Sequence, residues 1–207
     1  MSTHHQTIEH IALVNIKPDV DSTKVTKVID EINGLASLDL TIHLSAGKLL
    51  RSTCTSLNFS HIVHCRFKST DDLQAYNHHP EHLHVAKKLQ EIVDDFMVVD
   101  CVSGSIRHDL LTPGYVMRVT LLKLKEGLDE NEKDKLKVGV KNLFKTDEHT
   151  SISENLCHEM GKGYSIAIIV VFPGLEAIDS DVELENLYNS KVNEFIDDKI
   201  VVDYVAP

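Results

Sequence analysis

Apolar and polar residues alternate over Ile8–Lys17 (IEHIALVNIK), and apolar residues dominate Val116–Lys125 (VMRVTLLKLK). Both stretches then turn polar, and both predict strands. In the first, Ile8, His10, Ala12 and Val14 share one face, and Glu9, Ile11, Leu13 and Asn15 the other. Val25, Val28, Ile29 and Ile32 then recur at helical spacing, which predicts a helix over Thr23–Gly34 with Gly34 as its stop. In the second half Asp129 is the expected N-cap of a helix carrying Leu136, Val140, Leu143 and Phe144. His43–Leu50 and Ser153–Met160 read as second strands, and Ser60–Phe67 and Tyr164–Phe172 as third strands. Further helices are predicted at Thr70–Asn77, Glu81–Val93 and Glu183–Phe195.

Each half closes on a strand of the same wording. Asp94–Val102 (DDFMVVDCV) and Asp197–Val205 (DDKIVVDYV) agree at six of nine positions. The element order is therefore β-α-β-β-α-β twice, an α+β chain of two ferredoxin-like units. The expected division is 8–103 for the first unit, 104–114 for a linker rich in Ser, Gly and Pro, and 115–207 for the second. A sheet with helices on one face needs a cover for the other. A tandem copy supplies it, so the two units are expected to form an intramolecular dimeric α/β barrel, monomeric in solution.

Composition narrows the partners. The net charge of −11 argues against nucleic acid and anionic membrane, which call for clustered Lys and Arg. No apolar run approaches a membrane span. The first dozen residues lack the apolar core of a secretory signal. Cys54, Cys65, Cys101 and Cys157 show no CxxC spacing. A cytoplasmic location is expected.

Thirteen histidines are spread unevenly: ten precede the linker, and only His149 and His158 follow it. His10 lies on the first strand, and His61 on the third, sharing a face with Val63 and Cys65. Tyr76 ends a helical turn before the break at His79–Pro80. His82, Val85, Ala86, Leu89 and Val93 then form one helical stripe, so His82 points with the apolar residues toward the sheet. A histidine so placed must be hydrogen-bonded. One outcome is a buried polar network that fixes the helix; another is a small-molecule pocket with a general base. A metal site from His78, His79, His82 and His84 is not expected, because Pro80 disrupts the helical facing and the motif is not HExxH.

These residues carry a resemblance. The strand with His10, the strand SHIVHCRF with His61, the segment STDDLQAYNHHPEHLHVA and the strand VVDCV resemble the stress-responsive dimeric α/β-barrel family of plants, often shortened to Dabb. Tyr76-Asn77-His78-His79-Pro80-Glu81-His82 is similar to that family's Tyr and His-Pro-x-His stretch. The second half resembles the family through element order and VVDYV. The resemblance implies a stress-response or defence role with a small-molecule pocket in the first half. It also implies, from olivetolic acid cyclase-like polyketide cyclases, an intramolecular aldol condensation without metal or organic cofactor. His82 would be the general base and Tyr76 the oxyanion donor, with His10, His61 and His79 meeting a polyketide-like substrate. The aromatic and small residues that shape that enzyme's tunnel are not recognisable here. Haem- or quinone-handling monooxygenases share the barrel, but no axial-ligand pattern stands out. The second half lacks the set: Arg118 aligns with His10 and Ile166 with His61.

Overall fold

The computed structural model describes residues 6–53, 57–104, 106–144, 147–179, 181, 186–187 and 190–207. Cys54 lies outside them, as does part of the expected helix at Glu183–Phe195. The first half comprises β1 (Thr7–Ile16), α1 (Ser22–Gly34), β2 (Thr41–Thr53), β3 (His61–Phe67), α2 (Thr70–Asn77), α3 (Pro80–Ile92) and β4 (Val93–Ser103). The second comprises β5 (Val116–Leu124), α4 (Glu130–Phe144), β6 (Thr150–Glu154), β7 (Tyr164–Phe172), a short α5 (Leu175–Asp179) and β8 (Ile196–Val205).

Local chemistry sets the helix starts. The Asp21 carboxylate accepts from the backbone N–H of Thr23 and Lys24 and so begins α1. Asp129 and Glu132 exchange side-chain and backbone bonds as a capping box ahead of α4. Pro80 opens α3, where its missing N–H costs nothing. The expected strand at Ser153–Met160 stops at Glu154. There the Asn155 carboxamide accepts from the Cys157 N–H at 2.9 Å and turns the chain out of the sheet. Lys162 and Gly163, both at positive φ, bring it back to β7. The described end of the expected helix, Lys191–Phe195, is a 3-10 turn.

The eight strands run in the order β4-β1-β3-β2-β8-β5-β7-β6. Antiparallel pairing of β2 with β8 joins the two four-stranded units into one sheet. The sheet curls until its edges meet. The Leu156 N–H donates to the Asp100 carbonyl at 2.7 Å, and the Val98 N–H to the Met160 carbonyl at 3.2 Å. The result is the ferredoxin-like α/β barrel, with α1 and α3 outside the first half and α4 outside the second.

Strand alternation sorts the side chains into three cores. Ile11, Leu13, Ile62, Met97 and Val99 face the barrel interior, with Met117, Val119, Ile169 and Val202 from the second half. Ile8, Val63, Cys65 and Phe67 face outward under Val28, Ile32, Val85 and Ile92 of the helices. Leu136, Val140 and Phe144 of α4 cover Ile166, Ile168 and Val170. Helix packing and barrel closure therefore use opposite faces of the same strands.

The interior also holds charge. Glu9 and its partners Arg66 and His64 are almost wholly buried. Arg66 Nε donates to Glu9 Oε1 at 2.8 Å, and His64 Nε2 to Glu9 Oε2 at 2.7 Å. Burial pushes the Glu9 carboxyl up, but the His64 hydrogen bond and the Arg66 charge outweigh it and hold it at about 2. His43 stands nearby. Burial above all, then His64 and Arg66, push its imidazole down to about 3. The unfolded chain takes a proton on His43 near 6.5, where the folded protein stays neutral. The stability from that neutral ring is fully present above this value and is lost as pH falls toward the folded one. Urea midpoints measured from neutral pH downward should therefore fall more steeply in the native protein than in His43→Phe. Parallel curves for the two would contradict this.

Candidate functional site

A cavity of about 350 Å³ lies between α3 and the outer face of β1 and β4. Register builds its floor: His10 pairs with Asp100, Ala12 with Val98, and Val14 with Phe96. His82, Ala86, Leu89 and Val93 line it from α3 and the start of β4. Asn77 closes one end, and Met160 reaches in from the turn after β6. His10, Asp100, His82 and Asn77 thus gather polar atoms at one end. The other end, about 14 Å along the strands, is lined by Val14, Leu89, Val93 and Phe96, with Gln90 its one polar side chain.

His10 Nδ1 donates to Asp100 Oδ1 at 2.6 Å. The carboxylate fixes ring and tautomer, and among the described residues no protein atom bonds Nε2. Asp100 is itself held by the other half, its N–H donating to Asn155 Oδ1 at 3.1 Å. His82 Nδ1 lies 3.4 Å from the Asn77 carbonyl, the tautomer that leaves Nε2 as a lone pair. Burial pulls the His82 imidazole below its ordinary range, against the Asn77 hydrogen bond that raises it, so the ring is neutral at pH 7. A neutral imidazole beside a carboxylate-held one, in an otherwise apolar slot, can remove and return a proton.

The other expected residues are placed differently. Tyr76 is 2% exposed and stands behind His82, with ring centroids 4.3 Å apart. Its other neighbours are Phe67, at 5.1 Å, and the Cys65 thiol. Burial first, then Cys65, push the Tyr76 hydroxyl well above the ordinary phenol range. Tyr76 does not line the cavity. Nor does His61, whose Nδ1 is 2.9 Å from Ser60 Oγ. His79 caps α3, accepting from the Glu81 N–H at 3.3 Å. His78 bonds the Gln74 carbonyl, and His84 is exposed.

The second half carries the same device, closed. Arg118 pairs with Asp203 in the register that joins His10 to Asp100. Its Nε donates to Asp203 Oδ1 at 2.8 Å and its Nη1 to Asp181 Oδ2 at 2.6 Å. The guanidinium and its carboxylates fill the place of an imidazole. Asp100 had a sequence signal: it is the central Asp of VVDxV, set among apolar residues in both halves, and a buried carboxylate needs a partner.

The model of the stress responsive A/B barrel domain family matches residues 8–103. The whole chain is similar to two stress-response A/B barrel domain-containing proteins of Arabidopsis thaliana. It is 39% identical to one of them over 210 residues, covering 98% of this chain and 80% of that one. It is 34% identical to the other, DABB1, over 203 residues, covering 97% of each. Among solved structures, a Lactobacillus acidophilus protein provisionally assigned as a monooxygenase superposes with TM-score 0.60. The match covers 97% of this chain and 96% of that one at 12% identity, a likeness of fold alone.

Proposed function

The chain belongs to the stress-response A/B barrel domain family, and from that premise we propose that it serves stress response or defence by holding a small carbonyl compound in the first-half cavity. The observation that carries this reading is the convergence of His82 and the His10–Asp100 pair at one end of an apolar slot. Its volume, about 350 Å³, is at the small end for ligand sites. Calorimetry with a panel of poly-β-ketone thioesters tests it. Saturable heat that disappears in Asp100→Ala is expected; no saturable heat from the native protein overturns it.

A second reading makes the same site an enzyme, a cofactor-independent polyketide cyclase-like catalyst of intramolecular aldol closure. The neutral His82 favours it. His82 takes a proton alpha to a carbonyl, the enolate carbon attacks a second carbonyl of the same chain, and the proton returns to the new alkoxide. A substrate enol or hydroxyl group donates to His10 Nε2, the lone pair left when Nδ1–H is given to Asp100. Tyr76 then acts as a positioning residue, its ring backing His82. His61 and His79 support strand and helix rather than substrate.

The second half covers the first half's sheet, so a monomer of 23.2 kDa is expected by light scattering. An obligate dimer would contradict this.

A further inference from the structure

A separate cavity of about 380 Å³ opens at the end of the barrel, between β2, the segment before β5 and the chain after β8. Its apolar lining includes Leu44, Leu111 and Pro113, and its polar lining includes His43, Ser45 and Tyr115. Helix α3 and the residues of the first cavity take no part in it.

The polar wall is the outer end of the buried ion cluster. Glu9 is ionised and only accepts, so it takes the Nε2 proton of His64. With His64 neutral, its Nδ1, 2.9 Å from the Tyr115 hydroxyl, accepts the phenol proton. The Tyr115 oxygen is left to accept from His43 Nε2 at 3.2 Å. Ser45 Oγ is already engaged, 2.6 Å from the Tyr204 hydroxyl. In that relay the last atom, His43 Nδ1, is a bare lone pair. Among the described residues no protein atom bonds it. It is also not among the buried side-chain atoms that lack a partner, so it is reached from the cavity.

We infer that the barrel-end cavity is a second ligand site, selecting a small, mostly apolar molecule that offers one hydroxyl to His43 Nδ1, a phenol or alcohol. His43 stays unprotonated over the physiological range, so the site presents an acceptor and not a charge. An anion gains nothing there, and an ether or hydrocarbon of the same shape leaves the lone pair unmet.

Phenol and anisole differ at this one proton and serve as probes of the full-length protein. In NMR titrations of the histidine and tyrosine side chains, phenol is expected to move His43 and Tyr115 along one saturating curve while His10 and His82 stay still. Anisole should bind about tenfold more weakly, the effect of one lost hydrogen bond. His43→Phe should abolish the preference. Equal affinity for the two probes, shifts confined to His10 and His82, or no saturable shift would overturn the inference. The comparison of probes on the native protein decides even if the variant fails to fold.

Discussion

Glu9→Ala is expected to destabilise the protein by about 3–5 kcal/mol at neutral pH, the range for breaking a buried ion pair. The carboxylate is 0% exposed and is met by both Arg66 and His64. Removing it leaves a guanidinium inside the barrel with no counter-charge. The carboxyl pKa agrees in size: holding it at about 2 rather than 4.5 corresponds to about 3 kcal/mol, present above 4.5 and lost as pH falls toward 2. Urea unfolding of the native protein and the variant measures the loss. The converse change separates charge from packing. Replacing Glu9, Arg66 and His64 together by apolar residues of similar volume should recover most of the stability, because no charge is then buried. A loss below about 1 kcal/mol for Glu9→Ala would show that water reaches the cluster.

The second large effect is on chemistry. His82→Ala is expected to lower turnover of poly-β-ketone thioesters by about a hundredfold or more, as for a lost general base. Its effect on stability should stay within about 1 kcal/mol. His82 is only partly buried, its one hydrogen bond is long, and alanine suits a helix. Turnover and melting temperature are read on the same variant. Unchanged turnover sinks the catalytic role. A large fall in melting temperature, with no turnover in the native protein, assigns His82 to the framework.

The repeat and its element order were legible because strand and helix periods differ and because VVDxV recurs. The alternation in Ile8–Lys17 put His10 and Glu9 on opposite faces, and the structure bears that out, turning the His10 face outward and the Glu9 face into the barrel. What the alternation could not show was that the inward face is sealed by the other half. His43, His64 and Arg66 therefore read as ordinary polar strand residues, although they sit inside a barrel. Tyr76 illustrates a different limit. Chain proximity to His82 was correct, but which side of the imidazole the phenol takes depends on Phe67 and Cys65, which belong to the strand β3 beneath the helices. β6 ends at Glu154, short of the expected Met160, where the Asn155 side chain bonds the chain that turns away.

Entry of small carbonyl compounds between α3 and the sheet, at His10 and His82, is tested most directly by NMR of the histidine side chains. The titrant is acetylacetone, the smallest β-diketone. His10 and His82 are expected to shift together along one saturating curve while His43, His149 and His158 do not move. Shifts at those other histidines alone, or none up to saturating concentrations, would contradict entry at this site.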